Sequence, residues 1–328
     1  MNALRTLWST ITVVALVAAV PAARANDSMA ATAIGGLTLV KSDAIRMDSE
    51  DLYISEKQVR VAYRFTNTTD RDIDTLVAFP LPDYVAAPTQ VVLDFANDIR
   101  FETRIDGKPA KLDFVQQAIF KGQDITARLT ALGVPPVAQY HIFEAALKAL
   151  PKSEVDRLVQ DGLLQNIGAP DQPDWLAKWL VRTTVTRTQV FPAGKTVSVE
   201  HSYNPLPGGS VGGGLDRRYR KEPDFAAKKK AYCIDDAFIR GFEARQKTLR
   251  EPNAYSEVWL AYVLKTGANW AGPIRDFRLV VDKGDPDALV SFCAAGVKKT
   301  GPTTFEVRAK DFTPKQDLNV LIVKFEKP

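Results

Sequence analysis

One segment of the sequence carries a pattern that is shared with serine hydrolases. Gly208-Gly209-Ser210-Val211-Gly212 matches G-x-S-x-G. A nucleophile elbow requires a strand before the serine, a helix after it and a histidine later in the chain. Here prolines precede the serine and glycines follow it, while both histidines, His141 and His201, come earlier. Residues 205–214 are therefore predicted to form a flexible loop rather than an active-site turn.

Three arginines follow this glycine-rich segment. Backbone amides of the loop can form an anion-binding nest, and the cationic side chains beside it are Arg217, Arg218 and Arg220. The alternative is a solvated basic face, because acidic residues are interspersed among the arginines. The arginines are therefore candidates for contacting an anionic ligand or partner.

Three aromatic residues are candidates for an apolar binding surface. Trp175 and Trp179 lie four residues apart, which predicts one face of a short helix, and Tyr140 begins an apolar stripe at helical spacing. These side chains could line a pocket or meet a partner. The alternative is that they pack as the core face of helices against a sheet.

The composition argues against several classes of protein. The chain has 43 Lys and Arg against 39 Asp and Glu, which is too small an excess to hold nucleic acid. Its two histidines and two cysteines do not show the spacing of metal ligands, so neither a metal nor a cofactor is predicted. No pattern selects a catalytic pair of carboxylates. The protein is therefore expected not to be an enzyme.

The N-terminal segment has the features of an export signal. Arg5 precedes an apolar run over residues 7–20, Pro21 follows, and Ala23-Arg24-Ala25 places small residues where a signal peptidase requires them. Cleavage is expected after Ala25, with an uncleaved anchor as the alternative. The mature chain would then begin at Asn26 in a bacterial periplasm, with no further transmembrane segment.

Export determines how the two cysteines are interpreted. In an oxidising compartment, Cys233 and Cys293 are expected to form a disulfide that closes a loop of about 60 residues. Such a loop is worth roughly 3–4.5 kcal/mol by chain entropy. Two buried free thiols are the alternative.

The hydrophobic pattern predicts a mainly β protein with two β-sandwich-like units. Residues 58–65 alternate apolar and polar side chains, which is typical of a half-buried strand, and further strands are predicted at 73–79, 91–95, 99–105, 181–190 and 196–203. A hairpin turn is predicted at 191–195. Helical spacing over 122–180 indicates an insertion of about 60 residues. The predicted units are 26–205, with this helical insert, and 206–328, with one helix and the disulfide.

The sequence contains a series of short motifs that fit together in order. They are Asn26-Asp27-Ser28-Met29-Ala30, Gly35-Gly36-Leu37, Ile45-Arg46-Met47, Glu50-Asp51-Leu52-Tyr53-Ile54-Ser55, Phe79-Pro80-Leu81-Pro82, Tyr232-Cys233-Ile234-Asp235, Asn269-Trp270-Ala271-Gly272-Pro273-Ile274 and Ser291-Phe292-Cys293. This series resembles a family of exported bacterial proteins that is known only as a domain of unknown function. The resemblance covers residues 26–328 and implies a bacterial, exported protein without an assigned activity.

A second set of motifs lies in residues 50–120 and 181–203. The first stretch has an alternating strand, Phe65-Thr66-Asn67, a turn and Phe79-Pro80-Leu81-Pro82, and the second has Pro192-Ala193-Gly194-Lys195-Thr196-Val197 leading to Tyr203. These stretches resemble the start and the end of inter-alpha-trypsin-inhibitor-type vault domains, which are β-sandwiches. The resemblance implies a β-sandwich for the first unit, with the helical block as an insertion.

The function expected from these features is that of a periplasmic, non-catalytic interaction or binding protein, whose partner is an envelope protein or a small ligand. The alternative is a carrier that holds a small apolar or anionic ligand between the helical insert and the sheet, using Tyr140, Trp175, Trp179 and the three arginines. A hydrolase acting on envelope material is the third hypothesis.

Overall fold

The computed structural model describes residues 26–33, 36–86, 98–212 and 214–326. The expected signal peptide and the strand predicted at 91–95 lie outside the described residues. The strands are β1 (Ser28–Ala33), β2 (Gly36–Val40), β3 (Ile45–Ser55), β4 (Val59–Asn67), β5 (Ile73–Pro80), β6 (Tyr84–Val85), β7 (Glu102–Ile105), β8 (Lys108–Pro109), β9 (Asp113–Phe120), β10 (Gln123–Asp124), β11 (Leu164–Asn166), β12 (Trp175–Ala177), β13 (Leu180–Phe191), β14 (Thr196–Tyr203), β15 (Gly208–Val211), β16 (Tyr255–Tyr262), β17 (Ile274–Asp282), β18 (Leu289–Phe292), β19 (Lys298–Lys299), β20 (Thr304–Phe312) and β21 (Leu318–Phe325).

Five α-helices accompany these strands in the described ranges. Three lie in the insert, and two precede the last sheet strands. They are α1 (Thr126–Ala131), α2 (Tyr140–Ala149), α3 (Lys152–Gln160), α4 (Pro223–Tyr232) and α5 (Asp236–Gln246). The mainly β fold class with a helical insertion is therefore confirmed, with 44% strand and 20% helix.

The strands form three larger sheets and one hairpin. Sheet I has the order β10-β9-β13-β5-β1-β2, with β6 beside β13. Sheet II has the order β19-β20-β17-β3-β4-β14-β7-β8, and sheet III has the order β15-β16-β21-β18. The hairpin consists of β11 and β12. In sheet II, β17 pairs with β3 in parallel, so strands from both sides of residue 205 share this sheet.

The sheets pack around one large apolar core. In β4 the buried residues Val59, Val61, Tyr63 and Phe65 alternate with exposed or half-buried ones, as the period of two predicts. The main core also takes side chains from sheet I, such as Phe79, and from the inner faces of sheets II and III. The face-to-face packing of sheets gives the sandwich-like architecture.

Three local predictions were wrong. The turn at 191–195 is not a hairpin, because β13 lies in sheet I and β14 in sheet II, so the chain crosses between sheets there. The predicted Trp175–Trp179 helix is instead the short strand β12 and two residues that lead into β13, because Trp175 pairs with Asn166 across the hairpin. The loop predicted at 205–214 contains β15, which pairs with β16 along the edge of sheet III.

Candidate functional site

A cleft with a volume of about 350 Å³ lies where the ends of β5, β6, β14, β15 and β16 meet. This volume is within the range of pockets that hold small ligands. Most of its walls are apolar or aromatic. The lining residues are Leu81, Pro82, Asp83, Tyr84, Val85, Ile99, Thr183, Tyr203, Asn204, Pro205, Leu206, Gly208, Trp259 and Ala261.

Proline-rich segments form two walls of the cleft. β5 ends at Pro80 and Pro82 follows it, and the Leu81 amide between them donates to the Thr183 carbonyl of β13 at 2.8 Å. On the opposite side, the Asn204 amide donates to the Ile99 carbonyl at 2.7 Å, immediately before Pro205. Because proline fixes its own φ angle, these tethered segments give walls that exist before any ligand binds.

Tyr203 forms the aromatic floor together with residues behind it. Its ring stacks on Phe101 with centroids 5.1 Å apart, and Phe79 meets it edge-on at 5.9 Å. Burial raises the pKa of Tyr203 well above its usual value and raises that of Tyr84 to about 12. Both phenols are therefore uncharged at neutral pH.

Trp259 is held in place by charged residues outside the cleft. Its Nε1 donates to Glu257 Oε2 at 3.0 Å, and Lys228 Nζ donates to the same oxygen at 2.6 Å. A Cβ on Gly208 would lie 3.1 Å from the indole ring, so the glycine allows β15 to approach the tryptophan closely. These contacts fix the face that the indole presents.

The rim carries one ion pair. Asp83 accepts two hydrogen bonds from Arg182, at 3.1 and 2.8 Å, which neutralises the charge at the edge. The described lining includes no His, Cys, Lys or Glu side chain. The cleft is therefore suited to holding an apolar ligand with a small polar group.

Two other clefts are more polar. One of about 590 Å³ lies on the solvent-facing side of sheet II, where Arg60, Arg104 and Arg278 are mixed with acidic residues. Arg278, for example, pairs with both Asp51 and Glu306. Mixed charges of this kind are typical of a solvated sheet face. The other, of about 440 Å³, lies beside α4 and contains Lys230 and Asp317.

A hydroxyl, an imidazole and a carboxylate are aligned inside the sandwich. Thr103 Oγ1 is 2.8 Å from His201 Nδ1, and His201 Nε2 is 3.2 Å from Asp27 Oδ2. All three residues are buried, and Asp27 also accepts two hydrogen bonds from Arg187. Burial of His201 lowers its pKa. The alignment resembles a catalytic triad. A triad requires a hydroxyl that the substrate can reach, whereas Thr103 is buried here.

Trp175 and Trp179 are not among the residues lining these three clefts. Trp179 is fully buried, and its Nε1 donates to the Pro136 carbonyl at 2.7 Å. Trp175 packs against the same core between the insert and sheet I, and Tyr140 begins α2. Trp179 thus has the core role that the sequence analysis left open.

The three arginine candidates each contact a carboxylate. Arg218 pairs with Asp216 at 3.1 Å, and Arg220 and Arg217 approach Glu243 at 2.7 and 3.5 Å.

The disulfide between Cys233 and Cys293 is present, with Cα atoms 5.0 Å apart. It joins the end of α4 to the residue after β18.

Sequence reasoning missed the cleft residues because they come from distant parts of the chain. Leu81, Tyr203 and Trp259 meet only after three sheets have packed. The sequence carries one signal, the prolines that follow β5 and β14, but prolines of this kind indicate turns or chain stops and do not by themselves predict a cleft.

Neither a metal-ion site nor a membrane-spanning helix is found among the described residues. No three His, Cys, Asp or Glu side chains in the described ranges are placed to hold a metal ion. No helix among those ranges is both long and apolar enough to cross a bilayer.

Residues 25–321 match the model of a family described as a domain of unknown function, DUF4424, and the chain belongs to this family. Among curated proteins, none matches the sequence. A solved structure from Legionella pneumophila, provisionally described as a nutrient binding protein, is 15% identical with a TM-score of 0.43. The match covers 91% of this chain and 70% of that one. A likeness of this size indicates neither a shared ligand nor a shared function.

Proposed function

We propose that this member of the DUF4424 family is an exported, non-catalytic binding protein that holds a small, mainly apolar ligand in the cleft between Tyr203 and Trp259. The observation that carries the proposal is the cleft itself, with a volume of about 350 Å³ and apolar walls. Its size and lining match those of small-molecule sites.

The cleft has the features that separate a binding site from a packing defect. Its walls are tethered by backbone hydrogen bonds, and Trp259 is oriented by Glu257. Val85 and Leu206, which line it, are 58% and 40% exposed. Exposed apolar side chains beside a preformed cleft give a ligand apolar surface to bury at little conformational cost.

The proposed location is the periplasm, after cleavage behind Ala25. The apolar run and the Ala23-Arg24-Ala25 site support it, and the family match begins at residue 25. Edman sequencing and intact mass of the protein from a periplasmic extract test this directly. A chain that keeps residues 1–25 would contradict it.

Filling the cleft tests the binding site. Ala261→Leu places a larger apolar side chain in the cleft wall, while Ala145→Leu makes the same change on the exposed face of α2. Fluorescence titration of the mature protein with N-phenyl-1-naphthylamine should show saturable binding. We expect Ala261→Leu to weaken that binding tenfold or more, about 1.4 kcal/mol, and Ala145→Leu to leave it unchanged.

Native mass spectrometry of the exported protein identifies the natural occupant. An extra mass of a few hundred daltons that is lost in Ala261→Leu supports the proposal. Saturable dye binding that both variants retain equally would place the site elsewhere. Copurification of a second polypeptide, released by Ala261→Leu, would favour a protein segment as the occupant and overturn the small-ligand proposal.

A further inference from the structure

The start of the expected mature chain lies in the core of the protein. Asn26, Asp27 and Ser28 are all fully buried. Asp27 pairs with Arg187 at 3.0 and 2.6 Å, and its backbone carbonyl accepts a hydrogen bond from Trp270 Nε1 at 2.6 Å. These contacts attach Asp27 to β13 of sheet I and to the segment that precedes β17. Chain termini are ordinarily exposed, so burial at this point is unusual.

Beside Asn26 lies a buried carboxyl group that lacks a cation. Glu50 is 1% exposed, and it accepts hydrogen bonds from Asn26 Nδ2 at 2.9 Å and from the Tyr262 hydroxyl at 3.4 Å. Within the described part of the chain, no ion pair joins it to a basic side chain. Burial raises the pKa of Glu50 to about 8, and the nearby charge of Asp27 acts in the same direction. A buried carboxylate is costly unless a cation accompanies it.

The backbone at Asn26 gives a second, independent observation. Its φ is 149°, a value that residues with a side chain rarely adopt. This angle exists only while a peptide bond precedes Asn26. Hydrolysis of the Ala25–Asn26 bond removes the constraint, with water supplying the oxygen of the new Ala25 carboxylate and leaving a protonated amine on Asn26. A free α-amine has an ordinary pKa of about 7.7–8.0, so a neighbouring carboxylate keeps it charged at neutral pH.

We propose that the α-ammonium group released at Asn26 is the missing cation of this buried network and pairs with Glu50. The inference rests on the leader cleavage proposed above, but its geometry is separate from that of the ligand cleft. Maturation would then complete the core, and the chain would gain its full stability only after the leader is removed.

The surrounding charges accommodate such a pair. Asp27 is balanced by Arg187, and burial lowers the pKa of His201, so its imidazole is uncharged. Burial also raises the pKa of the neighbouring phenols, which stay protonated. The titratable groups that face Glu50, directly or through these residues, are Asp27, Tyr63, Arg187, His201, Tyr203 and Tyr262. One added cation together with one ionised Glu50 leaves the network neutral.

Chemical modification of the mature protein separates the charge of the amine from its bulk. The α-amine is modified selectively in denaturant and the protein is then refolded. Acetylation removes the positive charge, whereas reductive dimethylation keeps it at similar size. At pH 7 we expect acetylation to lower the Tm by roughly 5 °C or more and dimethylation to lower it much less.

Glu50→Gln provides the coupling test, with Glu102→Gln as the matched change on the exposed surface of β7. We expect acetylation to cost little in Glu50→Gln and its full amount in Glu102→Gln. Equal losses from acetylation in the two variants, or equal losses from both modifications, would overturn the pairing. Intact mass is recorded first, so that retention of residues 1–25, which contradicts the cleavage, is distinguished from a free amine that does not pair with Glu50.

Discussion

At the scale of single residues, the buried pair of Asp27 and Arg187 is tolerated because each charge has a defined partner. Asp27 is fully buried, and Arg187 and His201 hold its pKa well below its usual range despite the opposing effect of desolvation. The guanidinium contacts both carboxylate oxygens, which is the strongest geometry for such a pair. The Asp27–Arg187 pair therefore depends on each partner being present.

Removing the Asp27 charge should destabilise the protein strongly. Asp27→Asn leaves the Arg187 guanidinium buried without its counter-ion, and we expect a loss of about 3–5 kcal/mol in the free energy of unfolding. Urea denaturation measures this loss. Asp70→Asn, at an exposed turn residue, is the matched control and should stay within about 0.5 kcal/mol of the unmodified protein. A similarly small loss for Asp27→Asn would show that the Asp27–Arg187 pair contributes little to the free energy of unfolding.

The buried imidazole should make stability depend on pH. The folded-state pKa of His201 is lowered from the usual value of 6.5, chiefly by burial and also by the charge of Arg187, although Asp27 opposes the shift. On acidification the unfolded chain binds a proton first, so the stability present above pH 6.5 is lost as the pH falls below it. NMR titration of the folded protein measures the pKa of His201, with the resonance of the exposed His141 as the reference. A charged His201 in the folded protein at pH 6.5 would contradict it.

At the scale of secondary structure elements, the disulfide attaches helix α4 to sheet III. Cys233 follows α4 and Cys293 follows β18, at a sequence separation of 60. Phe242 of α5 and Ile234, which lies between α4 and α5, are buried in one cluster with residues of β21, so the covalent link and the apolar contacts hold the same region together. The disulfide therefore joins elements that apolar contacts already hold together.

Loss of this disulfide should reduce stability without changing the fold. The double variant Cys233→Ser, Cys293→Ser should lose roughly 3–4.5 kcal/mol, because the unfolded chain regains the entropy of a loop of this length. Urea denaturation followed by circular dichroism measures the loss. The unmodified protein after reduction serves as the control and should lose about the same amount. Unchanged stability in both would show that apolar contacts alone hold α4 and α5 in place.

At the scale of the whole molecule, the sheets link distant parts of the chain. β17 pairs in parallel with β3 and separates it from β20, so the strand order of sheet II needs residues from both ends of the sequence. The main core likewise joins Phe65 and Phe79 to Leu279 and Ile322. Folding of the first half should therefore depend on the second.

Dividing the chain at residue 205 tests this dependence. Segment 26–205 alone loses the strand that pairs with β3 and exposes core residues such as Leu52 and Ile54. We expect it to lack a cooperative unfolding transition, and coexpression with segment 206–328 should restore one. Calorimetry or circular dichroism measures the transition. A cooperative transition for 26–205 alone would instead support the two separate units predicted from the sequence.

The sequence by itself determined the features that depend on local periodicity and chemistry. Alternation in residues 58–65 predicted the buried face of β4, and helical spacing predicted α2 and α3. The disulfide followed from two cysteines and an expected oxidising compartment. These inferences need only the neighbours of each residue or a very small choice of partners.

Tertiary structure decided everything that requires contacts between distant residues. The spacing of Trp175 and Trp179 fits a helix, yet pairing with β11 made the first part of this segment a strand. The glycines at 208–212 suggest a loop, yet the edge of β16 made them β15. Tyr203 and Trp259 meet in one cleft, and Asn26 meets Glu50, only because three sheets close around a common core. Local propensity is worth tenths of a kcal/mol per residue, so strand pairing and burial override it.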